Sequence, residues 1–405
     1  MDRIYHGADF TIVATGPDKN HGLPGVVSAR ELGPQVFHLN GKSIVFTGPD
    51  PLWSIRDCTW MTTAWTFQEG YLSKRLLVFT DHQMSFYCGA ASWMESLGGL
   101  EQFKDPGSIN WNTWDARCSP YGIPESSTHP LSTSSRTGST PEILRFRYNN
   151  FMDLATQYTN RGLRYDSDAI NGFSGVMHFL EKEAPPILNV IGLPYIHWDT
   201  QRQKRFILSL CWYHSVSPEV TRRRAAFPSW SWADWTAGIN WHTRNPLWNL
   251  DIMESSVRNV SLESRDPSRS IISIDSQPSQ EFLATVTTIH LEALIFPAHL
   301  LSARSAESIW TTDSWDDIIV HEDFETLTAM AQPTWSPSHF RRSLEEGIWS
   351  CLMLELDLVF PSRPGFLIVV EWKDNETAVR VGGLLIDIYS NDPWPPMEYR
   401  KVRLV

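Results

Sequence analysis

The chain has 405 residues, of which 42% are hydrophobic and 20% are charged, and this length indicates one or two domains with a sizeable core. Its formal net charge of −12 argues against nucleic acid as a partner, because phosphate binding needs a basic field. The five cysteines are dispersed without a CxxC pair and no apolar run reaches the length of a membrane span, so we expect a cytoplasmic protein without a metal site or a membrane span.

The first hundred residues alternate between helix and strand signals. Residues 1–7 predict the end of a helix, and the β-branched run Phe10–Ala14 predicts a strand. Asn40-Gly41 is typical of a two-residue hairpin turn. Hairpins are therefore predicted at two places, with strands at Val36–Leu39 and Ser43–Phe46, and at Leu76–Thr80 and Gln83–Cys88.

The segment Trp60–Glu69 has the sequence WMTTAWTFQE and predicts a helix that begins near Thr59. Three apolar residues recur along it at helical spacing, so we expect them on one stripe of the helix. They are Met61, Trp65 and Leu72.

Glu69 follows Trp65 by four residues, which places its carboxylate at the rim of this apolar stripe. A carboxylate in such a place is costly unless it is paired, hydrogen-bonded or used. Two interpretations are open. In one, Glu69 forms an ion pair with Lys74 or Arg75 on a half-buried helix, and in the other it belongs to a functional site.

The composition of the chain changes after residue 104. Residues 105–141 are rich in Pro, Ser, Thr, Gly and Asn and predict a linker or long surface loop. Helices are then predicted at Glu142–Gln157, from Asp166 to Glu183, and from Gln201 to His214. A β pattern, interrupted by the polar stretch Ser302–Ser343, follows with strands at Ile271–Ile274, Phe282–Phe296, Trp349–Phe360, Phe366–Trp372, Val379–Tyr389 and Tyr399–Val405.

Tryptophan is unusually frequent, with 19 residues. Trp230 and Trp232 alternate with serines, so we expect both indoles on one side of an extended segment. We interpret them as core packing with each indole N–H hydrogen-bonded, and not as a ligand platform. The one dense basic run, Arg222–Arg224, is interpreted as a solvated loop.

The familiar catalytic motifs GxSxG, HExxH, the P-loop and GxGxxG do not occur in the sequence. Carboxylates with apolar neighbours are therefore the candidate catalytic groups, with Glu69 ahead of Asp81 and Asp168. Asp81 is most simply a hairpin-turn residue, and Asp168 is a residue of a first helical turn, where the helix dipole favours a negative charge.

A set of segments in the first hundred residues resembles the second half of the fungal heterokaryon incompatibility (HET) domain. They are Met1–Ala14, Gly22–Gly25, Arg30, Trp60–Glu69, Leu72–Arg75 and Phe79. A second set resembles the region that often follows this domain, namely Tyr158, Arg161, Leu163, Asp166–Ala169, Trp212–His214, Arg223–Trp232, Phe366–Val369 and Arg380–Gly383. The signature residues are Trp60, Trp65, Gln68, Glu69, Arg75, Trp230 and Trp232.

The resemblance implies a cytosolic protein of self/non-self recognition, whose domain triggers growth arrest or programmed cell death on meeting an incompatible partner. The HET domain is also similar to TIR domains, doubly wound α/β modules that assemble and some of which cleave NAD. Trp65–Glu69 has the W-x-x-x-E form of some TIR enzymes, where the Glu is catalytic. The family's SYVWG-like and LWIDxLCIxQ-like strands do not occur here, so the resemblance implies a domain without its N-terminal half, and Gly70 is a smaller departure.

The sequence therefore predicts an α+β fold: an incomplete TIR-like α/β part in residues 1–104, a linker in 105–141, and a helical and then β-rich region in 142–405. The expected function is incompatibility signalling through protein contacts, with self-association as a further mode and no cofactor. One alternative is a TIR-like effector that cleaves NAD as a substrate through Glu69. The other is a catalytically inert interaction protein.

Overall fold

The computed structural model describes the chain in two compact units. Unit 1 comprises Met1–Asn150, Arg161–Arg164 and Asn171–Phe179, and unit 2 comprises Phe151–Asn160, Tyr165–Ile170 and Leu180–Val405. Helices and strands are mixed, and the predicted α+β class is confirmed at this level. The described residues are 1–405 without 19, 27–28, 31–34, 47–48, 50, 89–91, 96–139, 215–221, 242–253, 267, 269–270, 298–300, 304–315, 321–326, 332–347, 357–363 and 389–396. The predicted linker at 105–141 lies outside the described residues except for its last two positions.

Unit 1 contains a sheet of four strands in its described part. Its elements are α1 Asp2–Gly7, β1 Thr11–Ala14, β2 Gln35–Leu39, β3 Lys42–Phe46, α2 Pro51–Arg56, α3 Thr59–Thr62, α4 Thr66–Leu72, β4 Arg75–Phe79, β5 Met84–Cys88 and β6 Ser92–Met94, and the helices α5 Thr140–Thr159 and α6 Asn171–Lys182 contribute residues to it. The strand order is β1-β4-β5-β6, with β1 parallel to β4 and the other pairs antiparallel. The predicted first helix, first strand and second hairpin are confirmed.

The hairpin of β2 and β3 is also confirmed. Asn40 and Gly41 have φ angles of 50° and 74°, and two positive φ angles are what a type I′ turn requires. In the described part of the chain, these two strands pair with each other alone and form a separate two-stranded sheet.

The segment Trp60–Glu69 is not one helix. The first helix, α3, ends at Thr62, Thr63 is extended with φ −85° and ψ 133°, and α4 begins at Thr66. The hydroxyls of Thr62 and Thr63 donate to the Thr59 carbonyl, and that of Thr66 donates to the Thr63 carbonyl. These local hydrogen bonds compete with helix continuation. The predicted continuous helix, and the single apolar stripe along it, are therefore wrong.

Unit 2 is dominated by one large sheet. Its elements are β7 Leu188–Val190, β8 Leu193–Tyr195, α7 Arg202–Ser209, β9 Trp212–His214, β10 Ile239–Trp241, β11 Glu254–Ser255, β12 Val257–Ser264, β13 Ile272–Ser273, α8 Gln280–Leu283, β14 Val286–Pro297, β15 Leu301–Ala303, β16 Asp316–Val320, β17 Leu327–Ala331, β18 Trp349–Leu356, β19 Pro364–Trp372, β20 Thr377–Ile388 and β21 Glu398–Leu404. The large sheet has the order β13-β12-β14-β18-β19-β20-β17-β16-β15 in the described residues, with β11 beside β18 and β21 between β14 and β20. The predicted β-rich region is thus confirmed.

Several predicted boundaries after residue 160 are wrong. Asp166 begins only a short 3₁₀ turn, and the following helix starts at Asn171. The helix predicted to reach His214 ends at Ser209, because residues 212–214 pair with β10 as a strand. The polar stretch Ser302–Ser343 contains strands of the sheet and does not interrupt it.

Candidate functional site

Glu69 lies half-buried on α4 and accepts hydrogen bonds from two aromatic side chains. The indole Nε1 of Trp60 is 3.3 Å from Glu69 Oε2, and the Tyr5 hydroxyl donates to the same carboxylate. Burial, together with this hydrogen bond and the negative charge of Glu69, raises the pKa of Tyr5 to about 12. The carboxylate therefore links α1 to α4 through its hydrogen bond with Tyr5. No ion pair joins it to Lys74 or Arg75 in the described residues, so that predicted pairing is wrong.

Gln68, next to Glu69, is fully buried and joins α4 to α6. Its Oε1 accepts a hydrogen bond from the main-chain N–H of Gly175, at 3.2 Å. A Cβ atom at position 175 would overlap this oxygen, so the glycine permits the close approach. Among the described residues, Gln68 Nε2 has no hydrogen-bond partner. The amide is thus used to pack two helices of unit 1.

Arg161 stabilises the break between α3 and α4. Its Nη1 atom lies 3.4 Å from the Thr63 carbonyl oxygen, and its guanidinium lies 4.8 Å from the centre of the Phe67 ring. The neighbouring Gly162 donates its N–H to the Thr62 carbonyl at 2.7 Å. The signature segment is therefore held by a short piece of chain that follows it by about a hundred positions in sequence.

The other candidates of unit 1 have structural roles as well. Trp65 is half-buried, and Arg75 is exposed with its Nη1 atom 3.0 Å from the Asp9 carbonyl oxygen. Asp81 lies in the turn after β4, as predicted, and pairs with His21 at 2.6 Å. The geometry described for Glu69 involves Trp60 and Tyr5, and none of these three residues takes part in it.

Five buried tryptophans of unit 2 each donate the indole N–H to a main-chain carbonyl. The pairs are Trp212 to Trp230 at 3.1 Å, Trp230 to Thr287 at 3.3 Å, Trp232 to Gly192 at 2.7 Å, Trp235 to Ser229 at 3.1 Å and Trp241 to Ser209 at 2.9 Å. The core-packing interpretation of Trp230 and Trp232 is confirmed. The extended path is not, because Trp232 begins a 3₁₀ turn whose N-cap is Ser231. Gly192, at φ 86°, leaves the space that the Trp232 ring needs.

Arg380 is fully buried on β20 beside Trp212. Its Nη1 atom donates to the Leu210 carbonyl at 2.8 Å, its Nη2 atom donates to the Trp212 carbonyl, and its guanidinium lies 3.6 Å from the centre of the Trp212 ring. Burial lowers the pKa of Arg380 to about 9. The guanidinium therefore stays charged at neutral pH. It donates hydrogen bonds to main-chain carbonyls where the chain passes from α7 to β9.

His214 is buried against the same rings. Its imidazole packs edge-on, with ring centres 5.4 Å from Trp212 and 5.2 Å from Trp235. Burial, and then the charge of Arg380, lower the pKa of His214 to about 3. Nothing in the sequence links His214 to Arg380, because the two positions lie far apart in the chain.

Arg222 and Arg223 of the basic run are exposed, as expected for a solvated loop, whereas Arg224 is half-buried, and all three pair with acidic groups. Arg222 holds Asp166 with two hydrogen bonds of 2.7 and 2.9 Å, and Arg223 pairs with the buried Asp234. The hydrogen bonds from Arg222 lower the pKa of Asp166, whereas burial raises the pKa of Asp234. Asp168 lies in the same 3₁₀ turn as Asp166.

Comparison with protein-family profiles, with curated proteins and with solved structures gives no match for this chain. Among the described residues, no group of three or more His, Cys, Asp or Glu side chains is placed to hold a metal ion. None of the helices in the described part of the chain has the length and apolarity that a membrane span requires.

Proposed function

We propose that the chain is a HET-type protein of non-self recognition that signals through protein contacts. The observation that carries the proposal is the use of the signature residues in packing. Gln68 Oε1 accepts a hydrogen bond from α6, and the Glu69 carboxylate accepts from Trp60 and Tyr5, all within unit 1. A segment held in this way presents a fixed surface, which favours recognition of a protein over chemistry at Glu69.

Growth of fungal hyphae that express the chain under an inducible promoter tests this function. We expect arrest or uptake of a vital dye, and we expect Glu69→Gln to retain it, because the amide oxygen can accept from the Trp60 indole while the amide NH2 group can donate to the Tyr5 hydroxyl. Gly175→Val, which pushes Gln68 off α6, should abolish the arrest. The proposal fails if expression of the unchanged chain leaves growth unaffected, or if Glu69→Gln alone abolishes the response in a protein that is still folded.

The alternative is a TIR-like effector that cleaves NAD. One observation favours it, namely that the Glu69 carboxylate lies half-buried between two aromatic groups, where an oxocarbenium-like state would find both charge and ring contacts. Purified protein incubated with NAD distinguishes the two. The leading proposal predicts no nicotinamide release, whereas release that is lost in Glu69→Gln and kept in Glu95→Gln would establish the alternative. Glu95 is the matched control because its carboxylate is bound by Arg30.

A further inference from the structure

Strand β1 forms one edge of the four-stranded sheet in unit 1. It is the first strand in the order β1-β4-β5-β6 and, among the described residues, it pairs only with β4. Just after β1, the N–H of Thr15 donates to the Phe79 carbonyl of β4 at 3.1 Å. In a strand, the N–H and C=O of one residue point to the same side, and successive residues alternate between the two sides. Thr15 and every second residue before it therefore bond to β4.

The intervening residues direct their N–H and C=O groups to the outer edge of the sheet. They are Phe10, Ile12 and Ala14, and within the described part of the chain their main-chain groups bond to no other segment. Their side chains are exposed as well, Phe10 by 50% and Ile12 by 51%, whereas the alternate Val13 is buried. An unpaired edge of this kind is a template for a further strand, and its exposed apolar side chains favour one.

This edge is complementary to a second copy of itself in one antiparallel register. A twofold axis at Ile12 places Ile12 opposite its own copy and Phe10 opposite Ala14 of the second copy, so a large ring meets a small methyl group. Each of these pairs exchanges two main-chain hydrogen bonds. Any other register pairs at least one of the three outward residues with a residue outside this set.

Charge favours the same occupant. The segment Phe10–Pro17 contains no charged residue, and Asp9, which precedes it, lies opposite Thr15 of the second copy in this register. Two copies with a formal net charge of −12 each repel one another over most of their surface, and an uncharged strand lets them approach without placing like charges together. A strongly charged partner segment would find no opposite charge on β1.

The contact is small, and this sets its strength. Five paired residues extend over about 17 Å, so the strands bury much less than the roughly 800 Å² per partner of a standard interface. Interfaces at the small end of the range are weak and transient. The dimer should therefore form at tens of micromolar protein and dissociate on dilution.

We propose that two copies of this chain associate through β1, antiparallel across a twofold axis at Ile12, so that their sheets join into one continuous sheet. The inference goes beyond the proposed function, because it concerns the assembly of the chain with itself and holds whether or not that assembly signals.

Sedimentation equilibrium at about 0.15 M NaCl tests the inference between about 1 and 200 µM protein. We expect the mean mass to rise from that of one chain toward that of two. Ile12→Lys and Ile12→Glu each place like charges directly opposite one another, so either variant alone should have a dissociation constant raised at least about tenfold. Ile271→Lys, at an exposed apolar position of unit 2, should dimerise like the unchanged chain.

Mixing the two charged variants provides a sharper arm. A 1:1 mixture places lysine opposite glutamate across the axis, so it should associate at least about fivefold more tightly than either variant alone. Recovery in the mixture also shows that the separate variants are folded. A chain that stays monomeric up to about 200 µM overturns the inference and leaves this edge to a different protein. Undiminished association of Ile12→Lys overturns it too.

Disulfide cross-linking tests the register. Directly opposite residues of a hydrogen-bonded pair have Cα atoms about 5.5 Å apart, which lies in the range for a disulfide. Ile12→Cys should cross-link with itself on oxidation, above the level of the unchanged chain with its own cysteines. Phe10→Cys should cross-link with Ala14→Cys and not with itself. Equal cross-linking of Phe10→Cys alone would contradict the axis at Ile12.

These measurements do not depend on cell growth. A chain that dimerises through β1 and has no effect on hyphae refutes the proposed function alone. A chain that arrests growth and shows no association through β1 refutes the dimer alone.

Discussion

His214 is a neutral imidazole in a cluster of indoles, beside the cation of Arg380. Protonation of His214 in the folded state would bury a second positive charge there. The unfolded chain, by contrast, protonates His214 with an ordinary pKa of about 6.5. The folded state is therefore linked to the deprotonated form of this residue.

The sign of this linkage gives a prediction at the residue scale. Because the folded pKa, about 3, lies below the unfolded one, the stabilisation is fully present above pH 6.5 and is lost as the pH falls. Each pH unit below about 6 should lower the free energy of unfolding by about 1.4 kcal/mol. Urea unfolding measured between pH 7.5 and pH 5 tests this pH dependence. This range lies above the lowered pKa of Asp166, so that carboxyl does not contribute to the change.

Matched variants isolate His214. His214→Phe keeps a ring among the indoles and should flatten the pH dependence, whereas His290→Gln, on the half-buried pair with Glu263, should leave most of it in place. Equal slopes in the unchanged chain and in His214→Phe would contradict the assignment.

At the scale of elements, the local sequence pattern predicted strands and turns more reliably than it predicted helices. The Asn40-Gly41 hairpin was predictable because the turn type is set by the two residues themselves. The break at Thr63 was not, since it depends on threonine hydroxyls and on Arg161 and Gly162 from distant sequence. The local sequence pattern of Trp60–Glu69 favours a helix, but tertiary contacts stabilise a break in it.

The contacts of the candidate site residues were likewise predictable only in part. Burial of Trp230 and Trp232 with bonded N–H groups was predictable, because a large indole finds an acceptor when it is buried. The partners of Glu69 were not predictable in full. The helical periodicity placed the carboxylate at the edge of an apolar stripe. It could not identify Tyr5, which lies on α1 and donates to this carboxylate.

Contact between α4 and α6 gives a prediction at this scale. Gly175→Ala should gain up to about 1 kcal/mol of helix propensity, but the new methyl group overlaps Gln68 Oε1, and overpacking of this kind costs about 1–3 kcal/mol. We therefore expect net destabilisation in urea unfolding. His178→Ala, at an exposed position of the same helix, should change stability by less than about 0.5 kcal/mol.

The double variant Gln68→Ala/Gly175→Ala removes the overlapping oxygen and should recover part of the loss. A Gly175→Ala protein that is more stable than the unchanged chain would show that Gln68 adjusts freely and that the close approach has no energetic role.

On the scale of the whole molecule, the net charge of −12 sets the response to salt. Repulsion among like charges opposes compaction, and salt screens it. Exposed ion pairs such as Arg222–Asp166 contribute little, so their screening costs little. Raising NaCl from about 0.02 M to about 0.3 M should therefore raise the thermal midpoint. KCl should act equally, and a midpoint that falls with both salts would show that ion pairs outweigh repulsion.

The turn of the β2–β3 hairpin has a chemical consequence. Asn40 is followed by Gly41, and in a freely moving chain the glycine nitrogen of such a pair attacks the asparagine amide, expels ammonia and forms a cyclic imide that water opens to aspartate or isoaspartate. A turn held with both φ angles positive restrains this attack. The rate of ammonia loss, followed by mass spectrometry during storage, thus reports how firmly the hairpin is held, and ageing would place a negative charge beside Lys42.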